Sequence, residues 1–270
     1  MLQAKDEATL GLIPNGVGTP HRAGSGQRVD LDLKRLGTAG LLVPGRATTL
    51  QAEEYRRIRR TLLSNAFLPR TEGEARSNLI MITSALPNEG KTFTTINLAL
   101  SIANGRDRRV LLVDADVTKP DVEKRLGISV HKGLADFLAE DALSLEEVLL
   151  ETNIPGFSLL PAGPYRPEAT ELLASNRMRT LVGELATRFA DDVVLFDGPP
   201  LLPSSDAIAL SALVGQIVVV VAAEETAKDA LRDALEMLDA SKIAGLILNK
   251  GRKPFAGNYL GYGYPMSGGS

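Results

Sequence analysis

The chain of 270 residues contains no cysteine and only two histidines, His21 and His131. The missing cysteines exclude disulfides, cysteine-bound zinc, iron–sulfur clusters and cysteine nucleophiles. Two histidines are too few for a metal site built from several of them. Positive charge is not in excess either, since the formal net charge is −3. The chain as a whole is therefore not a basic nucleic-acid binder, and we expect no nucleic-acid partner.

Long apolar runs are also missing. Runs such as 217–223 fall far short of the roughly 20 apolar residues that a membrane-spanning helix needs. The first residues lack the continuous apolar stretch of a signal peptide. The composition is 44% hydrophobic and 23% charged, which is typical of folded soluble proteins. We therefore expect a cytoplasmic protein.

The composition divides the chain into three segments. Residues 1–45 are rich in glycine, proline and polar residues and are predicted to form a flexible N-terminal segment. Within it, the leucines of Val29–Leu42 can dock on the body. Residues 46–250 are predicted to form the globular domain. Residues 251–270 return to glycine-rich low complexity, now with tyrosines, and are predicted to form a flexible tail.

The globular segment alternates between two patterns. Short apolar runs predict buried strands at Leu79–Thr83, Val110–Val113, Ser158–Leu160, Val193–Phe196, Ile217–Val221 and Ile243–Leu248. Helical stretches lie between them at Lys91–Ala103, Met178–Phe189, Asp206–Leu213 and Ala227–Ala240. Apolar strands of this kind are covered on both faces, and alternating strands and helices form parallel sheets through right-handed crossovers. We predict an α/β fold with a mostly parallel central sheet, helices on both faces, and ligands at the carboxyl ends of the strands.

A phosphate-binding loop follows the first of these strands. The stretch 84–92 reads SALPNEGKT and leads into a helix, which is the setting of a P-loop, with Ala85 in place of its first glycine. Main-chain N–H groups there can cradle phosphates, Lys91 can reach the β- and γ-phosphates, and Thr92 can bind Mg²⁺. The predicted nucleotide contacts are Asn88, Glu89, Gly90, Lys91, Thr92 and Phe93. The alternative is a chance Gly-Lys-Thr turn.

Polar side chains follow three other strands. Asp114 and Asp116 come just after one strand and point the same way, and Asp197 follows a second strand. A few such carboxylates suit an Mg·ATP site, or one of them accepts a proton from an incoming hydroxyl. The alternative for each is an ordinary polar strand end. Asn249 follows the last strand and offers a donor and an acceptor for an adenine edge, or it caps the strand end.

An arginine-rich helix is predicted at Gln51–Leu63. Glu53, Arg56, Arg59 and Arg60 share one face of it at spacings of three and four. Three interpretations remain open: a solvated helix, a basic patch for anionic lipid or nucleic acid, and a subunit interface with paired glutamate and arginine.

Three of the five tyrosines lie close together near the C-terminus, at Tyr259, Tyr262 and Tyr264. Glycine, asparagine and proline surround them, so this segment does not pack a core. The tyrosines are either a sticky low-complexity end or hydroxyls offered as phosphate acceptors. Nine to fourteen residues separate Lys250 from them, so they can reach roughly 30 to 46 Å at most. That distance covers the chain's own nucleotide site or that of a neighbouring subunit.

Taken together, the motifs resemble the bacterial tyrosine kinases (BY-kinases), and most closely the exosortase-associated tyrosine autokinases of exopolysaccharide loci. The resemblance covers about residues 29–264. It is carried by SALPNEGKT, LLVDADVTKP, LLPAGPYRPEATELLAS, VLFDGPP followed by Asp206-Ala207, GLILNK, and the tail tyrosines. It implies that residues 46–250 are a P-loop kinase domain that uses ATP and Mg²⁺.

The resemblance also implies a role for each site residue. Lys91 and Thr92 would hold Mg·ATP. Asp114 and Asp116 would form the second Walker motif and Asp197 the third, and with Thr92 they are the implied metal ligands. Asp114 is the implied base toward tyrosine. The implied catalytic residues are Lys91, Asp114 and Asp116.

The implied assembly is a ring. Glu53, Arg56 and Arg59 match the family's E-x-x-R-x-x-R motif, which builds a ring in which one subunit's tail enters the next subunit's site. The implied function is autophosphorylation of the tail tyrosines in trans, which regulates exopolysaccharide synthesis or export. A membrane polysaccharide co-polymerase would activate the kinase and hold it at the inner face of the membrane. Because each phosphotyrosine adds about −1.5 to −2 charges, phosphorylation is expected to disfavour the ring.

Two departures and two rival functions accompany this interpretation. Thr118 stands where the family often has arginine, and the tail has fewer tyrosines than in many relatives. A ParA/MinD-type ATPase would share the fold but carries K-G-G-x-x-K, and Leu86 occupies the position of its first lysine. A non-catalytic, nucleotide-sensing regulator of a polysaccharide machine remains open as well.

Overall fold

The computed structural model describes residues 27–45, 49–68, 75–105, 107–166 and 169–251. The strands are β1 (Gln27–Val29), β2 (Leu79–Ser84), β3 (Val110–Asp114), β4 (Leu150–Thr152), β5 (Phe157–Leu160), β6 (Val193–Asp197), β7 (Gln216–Ala222) and β8 (Ile243–Asn249). The helices are α1 (Leu33–Thr38), α2 (Leu50–Ala66), α3 (Lys91–Gly105), α4 (Val122–Leu126), α5 (Leu134–Ala139), α6 (Leu145–Val148), α7 (Ala169–Leu173), α8 (Asn176–Arg188), α9 (Ser205–Leu213) and α10 (Lys228–Glu236). A short 3₁₀ turn, Ala240–Lys242, leads into β8.

The strands form one sheet in the order β1-β4-β5-β3-β6-β2-β7-β8. All neighbouring pairs are parallel except β4 and β5, so the predicted mostly parallel sheet is confirmed. Each of the six predicted strands is present, with both ends within one residue of the prediction. The sequence did not predict β1 and β4. Each has only three residues and lacks an apolar run. Strand β1 is an edge strand and β4 is its neighbour, so both lie at the side of the sheet rather than in its buried centre.

Helices cover both faces of the sheet, as predicted. Alternate residues of β2 point to opposite faces. Leu79 and Met81 pack in a core that includes residues of α5 to α10, whereas Ile80 and Ile82 pack in a core that includes residues of α1 to α4. Every residue of β2, β3 and β6 is buried, which explains their nearly continuous apolar runs. None of the helices in the described ranges is long and apolar enough to cross a membrane.

The segment before α2 belongs to the packed body. Leu36 is fully buried, and the Leu42 N–H donates to Asn97 Oδ1 on α3 at 2.8 Å. The predicted docking of this segment is therefore present, and the body begins earlier than the predicted boundary at residue 45. The boundary lies earlier because the leucines of this segment pack into the core that includes residues of α3, despite the polar residues around them. Residues 1–26 of the segment predicted to be flexible lie outside the described residues.

The sheet has two functionally different edges. Because β2, β3, β6, β7 and β8 run in the same direction, they all end at one edge, which we call the carboxyl edge. The P-loop follows β2 there, Asp114 ends β3, Asp197 ends β6 and Asn249 ends β8. The opposite edge, where these strands begin, is called the amino edge. The fold thus gathers the predicted polar residues at the carboxyl edge.

Candidate nucleotide-binding site

The loop between β2 and α3 has a backbone that restricts its sequence. Asn88 and Gly90 have φ values of 67° and 93°, a region that favours asparagine and glycine. A Cβ at Gly90 would also lie 2.0 Å from Nδ2 of Asn249. Helix α3 begins immediately afterwards at Lys91, and the first N–H groups of a helix have no partner within it. The predicted strand–loop–helix setting is therefore present, with main-chain donors at a helix N-terminus, where phosphate binds well.

The Glu89 side chain determines the shape of this loop. Glu89 is buried, and its Oε2 accepts from the Leu86 N–H at 2.8 Å. Its Oε1 accepts from the Thr226 hydroxyl, which in turn accepts from the Ala222 N–H at 3.0 Å. Glu89 thus closes the P-loop on itself and fastens it to the loop after β7. The Glu89 side chain is thus occupied, and a nucleotide contact at Glu89 would have to come from its main chain.

Asn249 and Phe93 are placed differently from each other. Asn249 Nδ2 donates to the Glu89 carbonyl at 2.9 Å, so this side chain holds the P-loop from the end of β8. The Phe93 ring lies 3.8 Å from the position of a Cβ on Gly40 and packs against the core under α1 to α4. The ring therefore points into the core, and a nucleotide contact at Phe93 would have to come from its main chain.

The Lys91 side chain contacts the carboxylate of Asp116. The two form a nearly buried ion pair with an Nζ–Oδ2 distance of 2.6 Å. Burial acts to lower the pKa of Lys91, but the charges of Asp197 and Asp116 outweigh it, so the pKa is raised and the amine stays charged. Thr118, at the position where the resemblance leads one to expect arginine, donates its hydroxyl to Asp116 Oδ1 at 3.1 Å. Asp116 is thus held by Lys91 and Thr118 together.

Asp114 is fully buried and accepts two main-chain hydrogen bonds. Its Oδ1 accepts from the Asp116 N–H at 3.1 Å and its Oδ2 from the Val122 N–H at 3.2 Å. It also shares a hydrogen bond with Glu123 on α4. Burial, followed by the charges of Asp197 and Glu123, raises the pKa of Asp114 well above its ordinary value. Asp114 therefore loses its proton less readily than an ordinary aspartate does.

Asp197 lies directly beside Asp114 in the register of β6 and β3. Its Oδ1 accepts from the Thr95 hydroxyl at 3.0 Å, while its Oδ2 is buried and accepts no hydrogen bond. Burial raises the pKa of Asp197, and the charge of Lys91 and the hydroxyl of Thr92 offset part of the effect. A buried carboxylate oxygen without a donor, beside a threonine hydroxyl, is chemically suited to a cation.

The donor set fits Mg²⁺ only as part of a larger coordination shell. Within the described ranges, no group of three or more acidic or histidine side chains could hold a metal ion by itself. Mg²⁺ commonly takes one or two carboxylates and completes its shell with waters and phosphate oxygens. The residues predicted as ligands lie around Lys91 and are Thr92, Asp114, Asp116 and Asp197. They fit such a shared shell.

The arginine helix is present as α2, and it packs along α3. Arg56 forms an ion pair with Glu53 at 3.1 Å. Arg59 Nη1 donates to the Ser101 carbonyl at 2.5 Å and so fastens α2 to the last turns of α3. Arg60 is exposed. The three motif residues therefore differ: Glu53 and Arg56 form a surface pair, and Arg59 makes an internal contact.

Two tyrosines belong to the described residues. Tyr55 is buried, and burial raises its pKa to about 12. Tyr165 is 67% exposed on the loop after β5. The predicted phosphate acceptors lie outside the described residues and are Tyr259, Tyr262 and Tyr264. The chain leads into them from Gly251, two residues after Asn249, and therefore from the carboxyl edge.

Sequence reasoning missed three residues of the site. Thr95 lies one turn after Lys91 on α3, and this spacing could have suggested that its hydroxyl faces Asp197. Glu123 and Thr226 offered no such signal. They contact Asp114 and Glu89 only because α4 and the loop after β7 fold back over the carboxyl edge.

Comparisons with known proteins agree with this geometry. The family model described as an AAA domain matches residues 78–245. The tyrosine-protein kinase YwqD of Bacillus subtilis is 34% identical over 218 residues, which cover 80% of this chain and 86% of YwqD. The tyrosine-protein kinase wzc of Salmonella typhimurium is 32% identical over 234 residues, which cover 86% of this chain. The match spans only 31% of the length of wzc.

A solved structure gives the same result. The kinase domain of the Escherichia coli tyrosine kinase ETK superposes with a TM-score of 0.66 at 29% identity, covering 85% of this chain and 98% of that domain. The YwqD match extends over most of both chains, and the ETK match extends over nearly the whole kinase domain. The chain therefore belongs to the bacterial tyrosine-protein kinases, within the AAA-domain family.

Proposed function

We propose that this kinase transfers the γ-phosphoryl group of ATP to tyrosines of its own tail, namely Tyr259, Tyr262 and Tyr264. One observation carries the proposal: the tail begins beside the nucleotide loop. The side chain of Asn249 holds the Glu89 carbonyl, and Gly251 follows two residues later. From there the tail tyrosines lie within reach of a nucleotide site, either that of their own subunit or that of a neighbour.

Positioning of the phosphates falls to Lys91 and the loop. The Lys91 amine exchanges the Asp116 carboxylate for phosphate oxygens, so its charge stays paired with an anion throughout. The main-chain N–H groups at the start of α3 hold the remaining phosphate oxygens. A bound Mg²⁺, held by Thr92 and by carboxylates at Asp114, Asp116 and Asp197, would supply positive charge that neutralises the phosphates. The adenine would contact the part of the Asn249 amide that does not hold Glu89.

Proton transfer falls to Asp114. The tyrosine hydroxyl loses its proton to an Asp114 carboxyl oxygen as its own oxygen attacks the γ-phosphorus and the bond to ADP breaks. The raised pKa makes an ionised Asp114 a stronger base than an ordinary aspartate. Glu123, which is hydrogen-bonded to it, fixes the orientation of this carboxyl group. Glu123 is thus a positioning residue for the base.

The proposed assembly is a ring in which one tail enters the neighbouring site. Glu53 and Arg56 remain 47% and 36% exposed at their side chains, so both are accessible to a second subunit. Arg59 contributes by fixing α2 on α3. We further propose that a membrane polysaccharide co-polymerase activates the kinase and holds it at the inner face of the membrane. The kinase would then regulate exopolysaccharide synthesis or export.

Phosphopeptide mass spectrometry after incubation with Mg·ATP tests the proposal. Phosphate is expected on one or more of the three tail tyrosines in the wild type and on none in Lys91→Met. A Tyr259→Phe/Tyr262→Phe/Tyr264→Phe variant keeps the whole site and serves as the acceptor control. Phosphate on Tyr165 alone would contradict a tail acceptor. ATP hydrolysis without any phosphotyrosine, also in the presence of the cytoplasmic part of a co-polymerase, would favour the ATPase or the sensor instead.

A further inference from the structure

A groove of about 860 Å³ runs beside α2 and α3 and reaches the amino edge. Its wall includes the start of α2, the end of α3 at Gly105, and residues 37–45. Arg109 and Gly156 also line it, and they directly precede β3 and β5. We call it the arginine groove, because the described residues that line it include four arginines and no aspartate or glutamate. These arginines are Arg56, Arg59, Arg108 and Arg109.

Two of the four arginines are committed to internal contacts. Arg109 binds both carboxylate oxygens of Asp192, at 3.2 and 2.8 Å, and this pair neutralises its charge. Arg59 bonds the Ser101 carbonyl at the end of α3. These contacts make the wall of the groove rigid, and Arg59 adds a cation that bonds a carbonyl and lies near the charge of Asp107.

Arg56 and Arg108 have more capacity to bind a ligand. Arg108 lies 4.0 Å above the centre of the Phe67 ring and donates one hydrogen bond to the Asp191 carbonyl. A guanidinium has five N–H donors, so these contacts leave most of them available. The ion pair of Arg56 with Glu53 is solvent-exposed, and pairs of this kind contribute little and exchange easily. The groove thus offers two planar guanidinium groups held above a rigid base.

We propose that the arginine groove binds the phosphotyrosines of the kinase's own tail, residues 252–270. This inference rests on the proposed function, since that reaction makes the ligand. A phosphotyrosine carries about −1.5 to −2 charges and three acceptor oxygens, which arginine binds bidentately. The unmodified tyrosine carries no charge, so the groove discriminates between the product and the substrate of the reaction.

The tail is long enough to reach the groove. Helix α3 runs from the P-loop to the far end of the groove at Gly105 in 15 residues, a distance of about 22 Å. Eleven residues separate Gly251 from Tyr262, and in extended form they span up to roughly 36 Å. A phosphorylated tail that starts at the carboxyl edge can therefore occupy the groove of its own subunit or of an adjacent one.

Binding there has a consequence for assembly. Arg56 and Arg59 line the groove and also belong to the motif proposed to hold the ring together. A phosphorylated tail in the groove competes with a neighbouring subunit for the same arginines. Accumulated product would then open the ring by occupying its contacts, and not only by general charge repulsion.

Binding of synthetic peptides to the full chain tests this inference. The chain is first treated with phosphatase, repurified and kept free of ATP. Fluorescence anisotropy then measures its affinity for a labelled peptide of residues 252–270 with no phosphate or with phosphate on all three tyrosines. The groove variant is Arg56→Gln/Arg108→Gln. The matched control is Arg57→Gln/Arg60→Gln, which removes two exposed charges from α2 outside the groove.

The phosphorylated peptide is expected to bind the wild type at least about tenfold more tightly than the unphosphorylated one, as charge-assisted pairs predict. The groove variant should lose this gain, while the control should stay within about twofold of wild type, since exposed charges contribute little. Equal binding of both peptides, or equal losses in the two variants, would overturn the inference. If Arg108→Gln prevents folding, as thermal melting would show, Arg56→Gln against Arg57→Gln makes the same comparison.

The peptide experiment is independent of the kinase reaction, because the phosphate is introduced by synthesis. A chain that never phosphorylates its tail would contradict the proposed function and could still bind the phosphopeptide. A chain that phosphorylates its tail but does not bind the peptide in the groove would keep its function and lose this inference. The two failures are therefore distinguishable.

Discussion

The two edges of the sheet hold their charges in different ways. At the carboxyl edge, the side chains of Lys91 and Asp116 are only 10% and 6% exposed, and Asp114 is fully buried. In the arginine groove, which reaches the amino edge, the side chains of Arg56 and Arg109 remain 36% and 48% exposed. The same sheet thus separates a buried, mutually dependent charge cluster from an accessible set of cations.

The difference matches the work that each edge is proposed to do. Phosphoryl transfer benefits from preorganised charges shielded from water, where each interaction is strong. Burial also makes every charge depend on its neighbours, because an unpaired buried charge is costly. Reversible contacts with a partner or a tail need the opposite, namely charges that exchange partners at little cost. Substitutions at the two edges should therefore differ in how much they lower stability, even when the chemical change is similar.

Removing one acid from each edge gives the largest expected contrast. Asp116→Ala leaves the buried Lys91 amine without the carboxylate that it contacts and should lower the free energy of unfolding by about 3–5 kcal/mol. Glu53→Ala removes the exposed partner of Arg56 and should cost less than about 1 kcal/mol. Urea denaturation of both variants beside the wild type measures the two values. Similar losses would mean that the two edges do not differ in this respect.

Two glycines with left-handed backbones give the next contrast. Gly90 in the P-loop has a φ of 93°, and Gly45 beside the arginine groove has a φ of 78°. Gly45→Ala adds a methyl group in open space and should cost only the backbone strain, about 1–2 kcal/mol. Gly90→Ala also collides with Asn249 and should lose about 1–3 kcal/mol more, together with ATP affinity. Thermal melting measures the stability of both variants, and ATP titration measures their ATP affinity. Equal effects of the two substitutions would show that the collision with Asn249 is relieved without cost.

The link between Glu89 and Thr226 sharpens the comparison within the carboxyl edge. Thr226→Val removes the hydroxyl and leaves the Glu89 carboxylate and the Ala222 N–H without this partner. The unfolding free energy should fall by about 1–3 kcal/mol, and the KM for ATP should rise because the P-loop is loosened. Thr226→Ser keeps the hydroxyl and should behave like the wild type in both measurements. Equal KM values for the valine and serine variants would show that the contact between Glu89 and Thr226 does not affect nucleotide binding.

Local patterns predicted much of this molecule. The apolar runs gave six strands, and the P-loop was recognisable because its glycine, lysine and threonine are adjacent in sequence. The carboxylates at Asp114 and Asp197 were recognisable because each directly follows a buried strand. Strands β1 and β4 were not predictable, since three mixed residues carry no periodic signal. Their place depends on pairing with distant parts of the chain.

Contacts across long sequence separations needed the fold. The pairing of Lys91 with Asp116 and of Asp114 with Glu123 follows from how α3 and α4 pack at the ends of β2 and β3. The arginine groove shows the same limit. The spacing of the arginines on α2 was visible in the sequence. That Arg108 joins them depends on α2 packing along α3, which brings these arginines beside the turn that leads from α3 to β3.

The smallest expected effect concerns the proton held at Asp114. Because its pKa is raised in the folded state, the folded chain binds this proton more tightly than the unfolded chain, whose aspartate titrates near about 3.9. Stability therefore falls as the pH rises through the window between the two pKa values. Asp114→Asn has no proton to lose. Its amide nitrogen cannot accept one of the two main-chain hydrogen bonds, so a stability loss that does not depend on pH is expected beside the pH effect. Its melting temperature relative to wild type should rise from pH 5 to pH 8 by a few degrees, since about 1 kcal/mol corresponds to roughly 2–4 °C in a domain of this size. A constant difference in melting temperature over this pH range would show that Asp114 does not titrate there. A rising difference, together with loss of autophosphorylation, would place the proton and the reaction on the same carboxyl group.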